Sequence, residues 1–190
     1  MKGAVELESI FNIFGILYVI FSLAIGFGFV FGIAYLIYKL ATKKHTRKPK
    51  KIYLIMPFVS ALVAVAAFIF NMGWFRVALI VYGIAPIHAI LFLFSSLYSS
   101  DSAAENTPLR FYTIISYITY PLPYMLLPDG GDAGEEYMFF WLIKNEQIIN
   151  IGYALVLPCF IISAVFIALQ FFKARKLRTL SHTTEDTIHD

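Results

Sequence analysis

Four stretches of this chain contain no Asp, Glu, Lys or Arg: residues 10–38, 52–75, 77–100 and 148–172. Crossing the hydrocarbon core of a bilayer takes about 20 consecutive apolar residues, and each stretch is long enough. Hydrophobic residues make up 59% of the chain and charged residues 14%, whereas soluble domains carry about 25% charged residues. The sequence therefore predicts an all-α, polytopic membrane protein.

Charge counting extends this prediction to five crossings. Seven Lys/Arg lie within 39–51 and four within 173–178, and short basic segments stay on the cytoplasmic side. An even number of crossings must then separate them, and residues 109–127 are the candidate for the missing one. With the N-terminus outside, 12 Lys/Arg are cytoplasmic and 3 are external. The predicted spans are about 10–40, 52–72, 76–98, 109–127 and 148–172, between an outer segment 1–9 and a cytoplasmic tail 173–190.

The predicted fourth span is broken by prolines. Pro121 and Pro123 remove two helical hydrogen bonds, so a helix that begins near Leu109 should end near Thr119 or Tyr120. Polyproline II chain would then complete the crossing. The segment also carries one polar stripe at spacings of three and four, which consists of Thr113, Ser116, Tyr117, Tyr120 and Tyr124.

Non-helical backbone occurs at membrane depth only where protein or a wet cavity covers it. We therefore expect residues 109–127 to be buried in the bundle. The alternative is an interfacial helix or a re-entrant loop that does not cross.

The third predicted span contains His88, the one His, Lys, Arg, Asp or Glu placed deep in a predicted span. An intramembrane histidine is a candidate functional residue. Alternatively, its ring bonds a freed carbonyl or a neighbouring hydroxyl and fixes a kink. Pro86 predicts that kink near mid-bilayer, and Pro158 predicts another in the last span.

The first span carries a small-residue face, and the second and third spans form a tight hairpin. The turn of the hairpin lies at 71–73, and Trp74 and Arg76 beside it are predicted interface anchors. Small residues at four-residue spacing allow close helix packing, most simply with another span of the same chain. This face consists of Ser22, Gly26, Gly28 and Gly32.

No catalytic set is recognisable in the sequence. It lacks paired carboxylates, a Ser/His/Asp set, a phosphate-binding glycine loop and metal-spaced His or Cys, and its one cysteine is Cys159. We therefore expect no enzyme activity, no cofactor and no metal site. The positive charges flank the spans, which favours membrane lipids rather than nucleic acid as partners.

Two functions are compatible with these features. The first is a non-catalytic protein that packs its spans or outer loop against another membrane protein, or against itself. Accessory subunits and immunity proteins against pore-forming toxins are examples of that class. The alternative is a small oligomeric channel or transporter whose path is lined by the kinked third span and the broken fourth. The expected location is a bacterial inner membrane.

Overall fold

The computed structural model describes residues 28, 30–36, 38–39, 50–70, 73–128, 136–140 and 142–189. Within these ranges the regular structure is helical, apart from one isolated antiparallel pair between Met138 and Ile143. The helices are α1 (Lys51–Phe70), α2 (Trp74–Val81), α3 (Ile84–Ser99), α4 (Thr107–Thr119), α5 (Leu122–Leu126) and α6 (Glu146–His189). The prediction of an all-helical fold is confirmed for the described residues.

Two helices are long and apolar enough to cross a membrane, α1 and the part of α6 from Glu146 to Leu180. A third candidate arises if α2 and α3 are counted as one bent span. The predicted first span lies mostly outside the described residues, although 28, 30–36 and 38–39 are helical. The number of crossings therefore stays a prediction, as do the boundaries 1–9, 10–172 and 173–190.

The third predicted span bends at Gly83, three residues before Pro86. The axes of α2 and α3 differ by 65°, and Gly83 between them has φ +75°. Pro86 is the third residue of α3, in the first turn, where backbone N–H groups have no helical acceptor. In a helix continued from α2, the backbone nitrogen at position 86 would pair with the Tyr82 carbonyl, and a proline cannot donate that bond. The bend therefore lies beside the carbonyl that Pro86 was predicted to free, and its depth in the bilayer stays a prediction. Pro158 lies inside the continuous helix α6.

The proline-broken segment is helical on both sides of its break. The helix α4 ends at Thr119, as the sequence predicts. Pro121 then has φ −76° and ψ −20°, which is helical geometry that a proline ring allows. A second short helix, α5, comes directly after it. The predicted polyproline II half is therefore wrong, since the prolines restart a helical turn instead of extending the chain.

One end of the bundle gathers three parts of the chain. Ala103, Leu109 and Ala174 form a small buried cluster against which Tyr53 packs. The Tyr117 hydroxyl also donates to the backbone carbonyl of Tyr53, at 3.2 Å. The starts of α1 and α4 and the later part of α6 therefore lie at the same end.

The end of α5 lies at the opposite end of the bundle. A Cβ added to Gly152, in the second turn of α6, would lie 3.0 Å from the carbonyl oxygen of Leu126. The segment thus begins beside Ala174 and ends beside Gly152, about 22 residues or roughly 33 Å apart along α6. This distance matches the ~30 Å hydrocarbon core.

The outer surface of the bundle is more apolar than that of a soluble protein, and its interior mixes apolar and polar side chains. Large apolar side chains face outward along the helices, among them Ile52, Leu62, Ile87, Leu91, Phe111, Leu157, Ile161 and Phe172. Polar side chains are buried between the helices, among them Ser60, His88, Ser95, Ser99, Thr113, Ser116, Ser163 and Gln170. Apolar exposure on this scale is typical of a surface that is covered by lipid or by another protein.

Candidate functional site

His88 lies at a junction of three helices. Its Nδ1 is 2.8 Å from the Tyr124 hydroxyl on α5, and its Nε2 is 3.0 Å from Ser163 Oγ on α6. A neutral imidazole has one donor and one acceptor nitrogen, so one hydroxyl donates to the ring and the other accepts from it. With 8% of its surface exposed, His88 has both ring nitrogens engaged inside the protein.

Aromatic rings pack around this junction. The centroids of Tyr120 and Phe160 lie 4.9 and 5.4 Å from that of His88. Tyr120 in turn stacks on Phe92 at 3.9 Å, with the ring planes 5° apart. Tyr124 lies 5.2 Å from Phe68 and 5.4 Å from Phe160. Aromatic contacts at these distances fill the space beside His88 with side chains.

A second polar cluster lies closer to the end that carries Ala174. Gln170 Nε2 donates to Ser99 Oγ at 2.7 Å, and Ser116 Oγ donates to Gln170 Oε1 at 2.7 Å. Ser116 is also 2.8 Å from the carbonyl of Thr113, so its hydroxyl is shared between two acceptors. One glutamine thereby joins α3, α4 and α6.

Serine hydroxyls make two further connections, one between α3 and α6 and one between α1 and α4. Ser95 donates to the carbonyl of Ile167 at 3.0 Å, and Ser60 donates to the carbonyl of Tyr117 at 2.7 Å. Hydrogen bonds between helices are a main source of association where the surroundings are as apolar as the helices. Within the polar stripe of α4 and α5, the side chains of Ser116, Tyr117 and Tyr124 bond groups on other helices.

Arg76 is bonded inside the bundle, which was not predicted from the sequence. Its side chain is fully buried, and its guanidinium donates to the carbonyls of Tyr124 and Leu127 at 2.8 and 2.7 Å. These carbonyls lie at the end of α5, where helical acceptors lack a donor of their own. Trp74, in contrast, is 70% exposed. That both residues lie at the membrane interface stays a prediction.

An ion pair lies at the opposite end of the bundle, beyond Ala174 on α6. Arg178 donates to Asp101 Oδ2 at 2.8 Å and to the carbonyl of Tyr98 at 2.7 Å, and both charged side chains are buried. Its guanidinium also lies 3.9 Å from the centroid of the Tyr98 ring. The α3–α4 connection is thus fastened to α6 beyond the apolar part of that helix.

The bonds between helices define a polar seam, which consists of His88, Ser95, Ser99, Ser116, Tyr124, Ser163 and Gln170. The described residues contain no group of three His, Cys, Asp or Glu that could hold a metal ion. Each seam residue instead bonds another helix. The arrangement is suited to holding α3 through α6 in one register.

The structure places the predicted residues in different settings. Tyr117, Tyr120 and Tyr124 are buried, 7%, 4% and 1% exposed, which confirms the expected burial of the stripe. Gly28 and Gly32 have no atom within 4 Å of an added Cβ, so none of the described helices packs closely there. Ser22 and Gly26 lie outside the described residues.

The sequence reasoning missed the partners of this seam on α6. Ser163, Gln170, Ala174 and Arg178 recur at spacings of seven, four and four, which places them on one helix face. All four are buried. That spacing is a readable signal, since polar residues repeating on one face of an apolar helix indicate an interior face.

Comparison with family models, with curated proteins and with solved structures finds no match to this chain.

Proposed function

We propose that this chain is a non-catalytic integral membrane protein that acts by packing its outer surface against another membrane protein. It crosses the bilayer five times, with its N-terminus outside and its C-terminus in the cytoplasm, and the membrane is a bacterial inner membrane. The proposal that this chain acts by packing against a partner rests on the polar seam. Its polar groups bond each other, so the surface left for a partner is the apolar exterior.

The end-to-end course of α4 and α5 supports the fourth crossing. The segment covers roughly 33 Å of the neighbouring helix α6, close to the ~30 Å hydrocarbon thickness. Its backbone satisfies the condition for a broken span, because Tyr117, Pro123 and Tyr124 are buried by other helices. A re-entrant loop would return to the end at which it began.

The distribution of charge supports the orientation. Lys51, Arg110 and Lys173 lie at the end where Tyr53, Leu109 and Ala174 meet. Cytoplasmic ends of membrane proteins carry the excess of Lys and Arg. The C-terminal tail and the α3–α4 connection are then cytoplasmic together.

Gly28 and Gly32 mark the face on which we place the partner. Close approach of a second helix requires small residues that face outward, and Gly28 and Gly32 are four residues apart with open space above both. A helix from a different membrane protein fits this face better than one from the same chain, since no described helix occupies it.

Photocrosslinking in native membranes tests this proposal. A benzophenone amino acid replaces Ile33, beside the glycine face, and should give one discrete adduct with a membrane protein. Gly32→Leu should abolish the adduct by blocking close approach. The matched control is a benzophenone at Leu157, which is 67% exposed on α6 and should give no discrete adduct. Equal adducts at both positions, or an adduct that survives Gly32→Leu, would contradict the proposal.

A flux assay separates this function from the channel or transporter alternative. Purified protein in proteoliposomes should conduct ions and small solutes no faster than empty vesicles, because the seam is filled by side chains. His88→Ala and Tyr120→Phe should leave that background unchanged. Flux that requires the protein and falls in His88→Ala would instead favour a conduit along the seam.

A further inference from the structure

At one end of the bundle, three helices each carry a basic residue next in sequence to an exposed apolar residue. The exposed apolar neighbours Ile52, Phe111 and Phe172 are 55%, 56% and 61% exposed. Lys51 precedes Ile52, Arg110 precedes Phe111, and Lys173 follows Phe172. Each cation is thus directly beside a side chain that faces outward into the lipid.

Charge at this end is strongly one-sided. Among the described residues from 50 to 180, this end carries seven cations (Lys50, Lys51, Arg110, Lys173, Arg175, Lys176 and Arg178) and two carboxylates (Asp101 and Glu105), a net charge of +5. The opposite end carries Arg76 and Lys144 against Glu136 and Glu146, a net charge of zero. Anions are therefore attracted to one end only.

The carboxylates of this end do not neutralise the three cations at the lipid boundary. Asp101 is bound by Arg178. Among the described side chains, no carboxylate is within ion-pair distance of Lys51, Arg110 or Lys173. Arg110 donates to the backbone carbonyl of Ala104, which orients its guanidinium without placing a carboxylate of the described side chains beside it.

We propose that Lys51, Arg110 and Lys173 form a binding surface for the phosphate groups of anionic phospholipids. A cation that flanks a lipid-facing apolar residue lies at the depth of the headgroup phosphates, and a lysine or arginine stem lets the charge reach them. An anionic leaflet attracts each such cation by about 1 kcal/mol, or roughly fivefold in affinity. This inference rests on the proposed membrane location and adds the class of lipid that the cytoplasmic end selects.

Spin-labelled lipids test the proposal directly. The full chain is reconstituted in phosphatidylcholine membranes with trace spin-labelled phosphatidylglycerol or phosphatidylcholine, and the motionally restricted fraction of each label is measured. Wild type should restrict phosphatidylglycerol in preference. Each single change Lys51→Gln, Arg110→Gln or Lys173→Gln should weaken that preference, by about fivefold at the site it removes. The triple variant should show no preference.

Control measurements test whether the preference depends on these three cations and whether the bound phosphate belongs to a lipid. Lys144→Gln, at the opposite end, should keep the preference, and high salt should reduce it in wild type because exposed charges are screened. A preference that persists in the correctly folded triple variant overturns the proposal, as does its loss when excess inorganic phosphate is added at constant ionic strength. If neither label is restricted, the chain is not embedded in lipid, and the proposed function fails rather than the lipid selectivity alone.

Discussion

At the scale of single residues, the interior is held by side chains whose partners lie far away in sequence. His88 bonds residues 36 and 75 positions distant. The sequence indicates that His88 is buried, and bonding of its ring to a hydroxyl is one of the two alternatives that the sequence leaves open. No local pattern identifies which hydroxyls it meets, because that depends on the relative depth of three helices.

The His88–Tyr124 bond should be measurable by a double-mutant cycle. His88→Ala leaves two buried hydroxyls without this partner, and Tyr124→Phe removes one hydroxyl while keeping the ring. We expect a coupling of about 0.6 kcal/mol, with an upper value of about 1.7 kcal/mol, as for polar pairs in other membrane bundles. The free energy of unfolding in mixed micelles provides the measurement.

A matched control for this cycle is the neighbouring residue Ile87. It is 58% exposed, so Ile87→Ala in place of His88→Ala should show no coupling to Tyr124→Phe. A His88–Tyr124 coupling indistinguishable from zero would mean that the seam contributes nothing specific at this position.

Arg76 could not be located from the sequence, because its acceptors exist only where α5 ends. Basic residues beside a turn in a membrane protein usually lie at the interface, and this one faces inward. Arg76→Met should lower the free energy of unfolding by about 1.5–3 kcal/mol, the range for hydrogen bonds to a charged group. Lys144→Met, at the same end but exposed, should change it by less than about 0.5 kcal/mol.

Arg76→Lys distinguishes charge from geometry in that experiment. An ammonium keeps the charge but lacks the planar fork that reaches two carbonyls. It should therefore recover only part of the stability lost in Arg76→Met. Full recovery would show that charge alone matters.

At the scale of elements, local rules predicted the end of a helix better than the conformation of the residues after it. The end of α4 at Thr119 follows from Pro121, whose ring excludes a helical hydrogen bond. The short helix α5 does not follow, since a proline can begin a helix as readily as it ends one. The bend at Gly83, in contrast, lies beside the carbonyl that Pro86 leaves without a helical donor, and the glycine supplies the positive φ.

The contact between α5 and α6 depends on a glycine. A Cβ at Gly152 would lie 2.9 Å from Met138 Sδ and 3.0 Å from the Leu126 carbonyl oxygen. Gly152→Ala should therefore separate the two helices and lower the free energy of unfolding by about 1–3 kcal/mol, the usual cost of overpacking.

Gly32→Ala is the matched control, because it adds the same methyl group to a helix where nothing lies within 4 Å. It should leave stability unchanged or raise it by up to about 1 kcal/mol through helix propensity. Equal losses in Gly152→Ala and Gly32→Ala would show that α5 and α6 are not in close contact.

At the scale of the whole molecule, the proposed fourth crossing rests on two independent arguments. Charge counting uses only the positions of Lys and Arg, whereas the end-to-end course of α4 and α5 comes from contacts such as Leu109 with Ala174 and Leu126 with Gly152. The first span contributes to charge counting alone, because most of it lies outside the described residues.

Cysteine accessibility tests the topology that both arguments favour. In a Cys159→Ser background the chain has no other cysteine, so Ala104→Cys, Thr179→Cys and Leu142→Cys each introduce one thiol. A membrane-impermeant maleimide should label positions 104 and 179 in inside-out vesicles and position 142 in right-side-out vesicles. Ile161→Cys, exposed in the apolar part of α6, should resist labelling from both sides because lipid covers it. Labelling of 104 and 142 from the same side would make 107–128 a re-entrant loop and remove the fourth crossing.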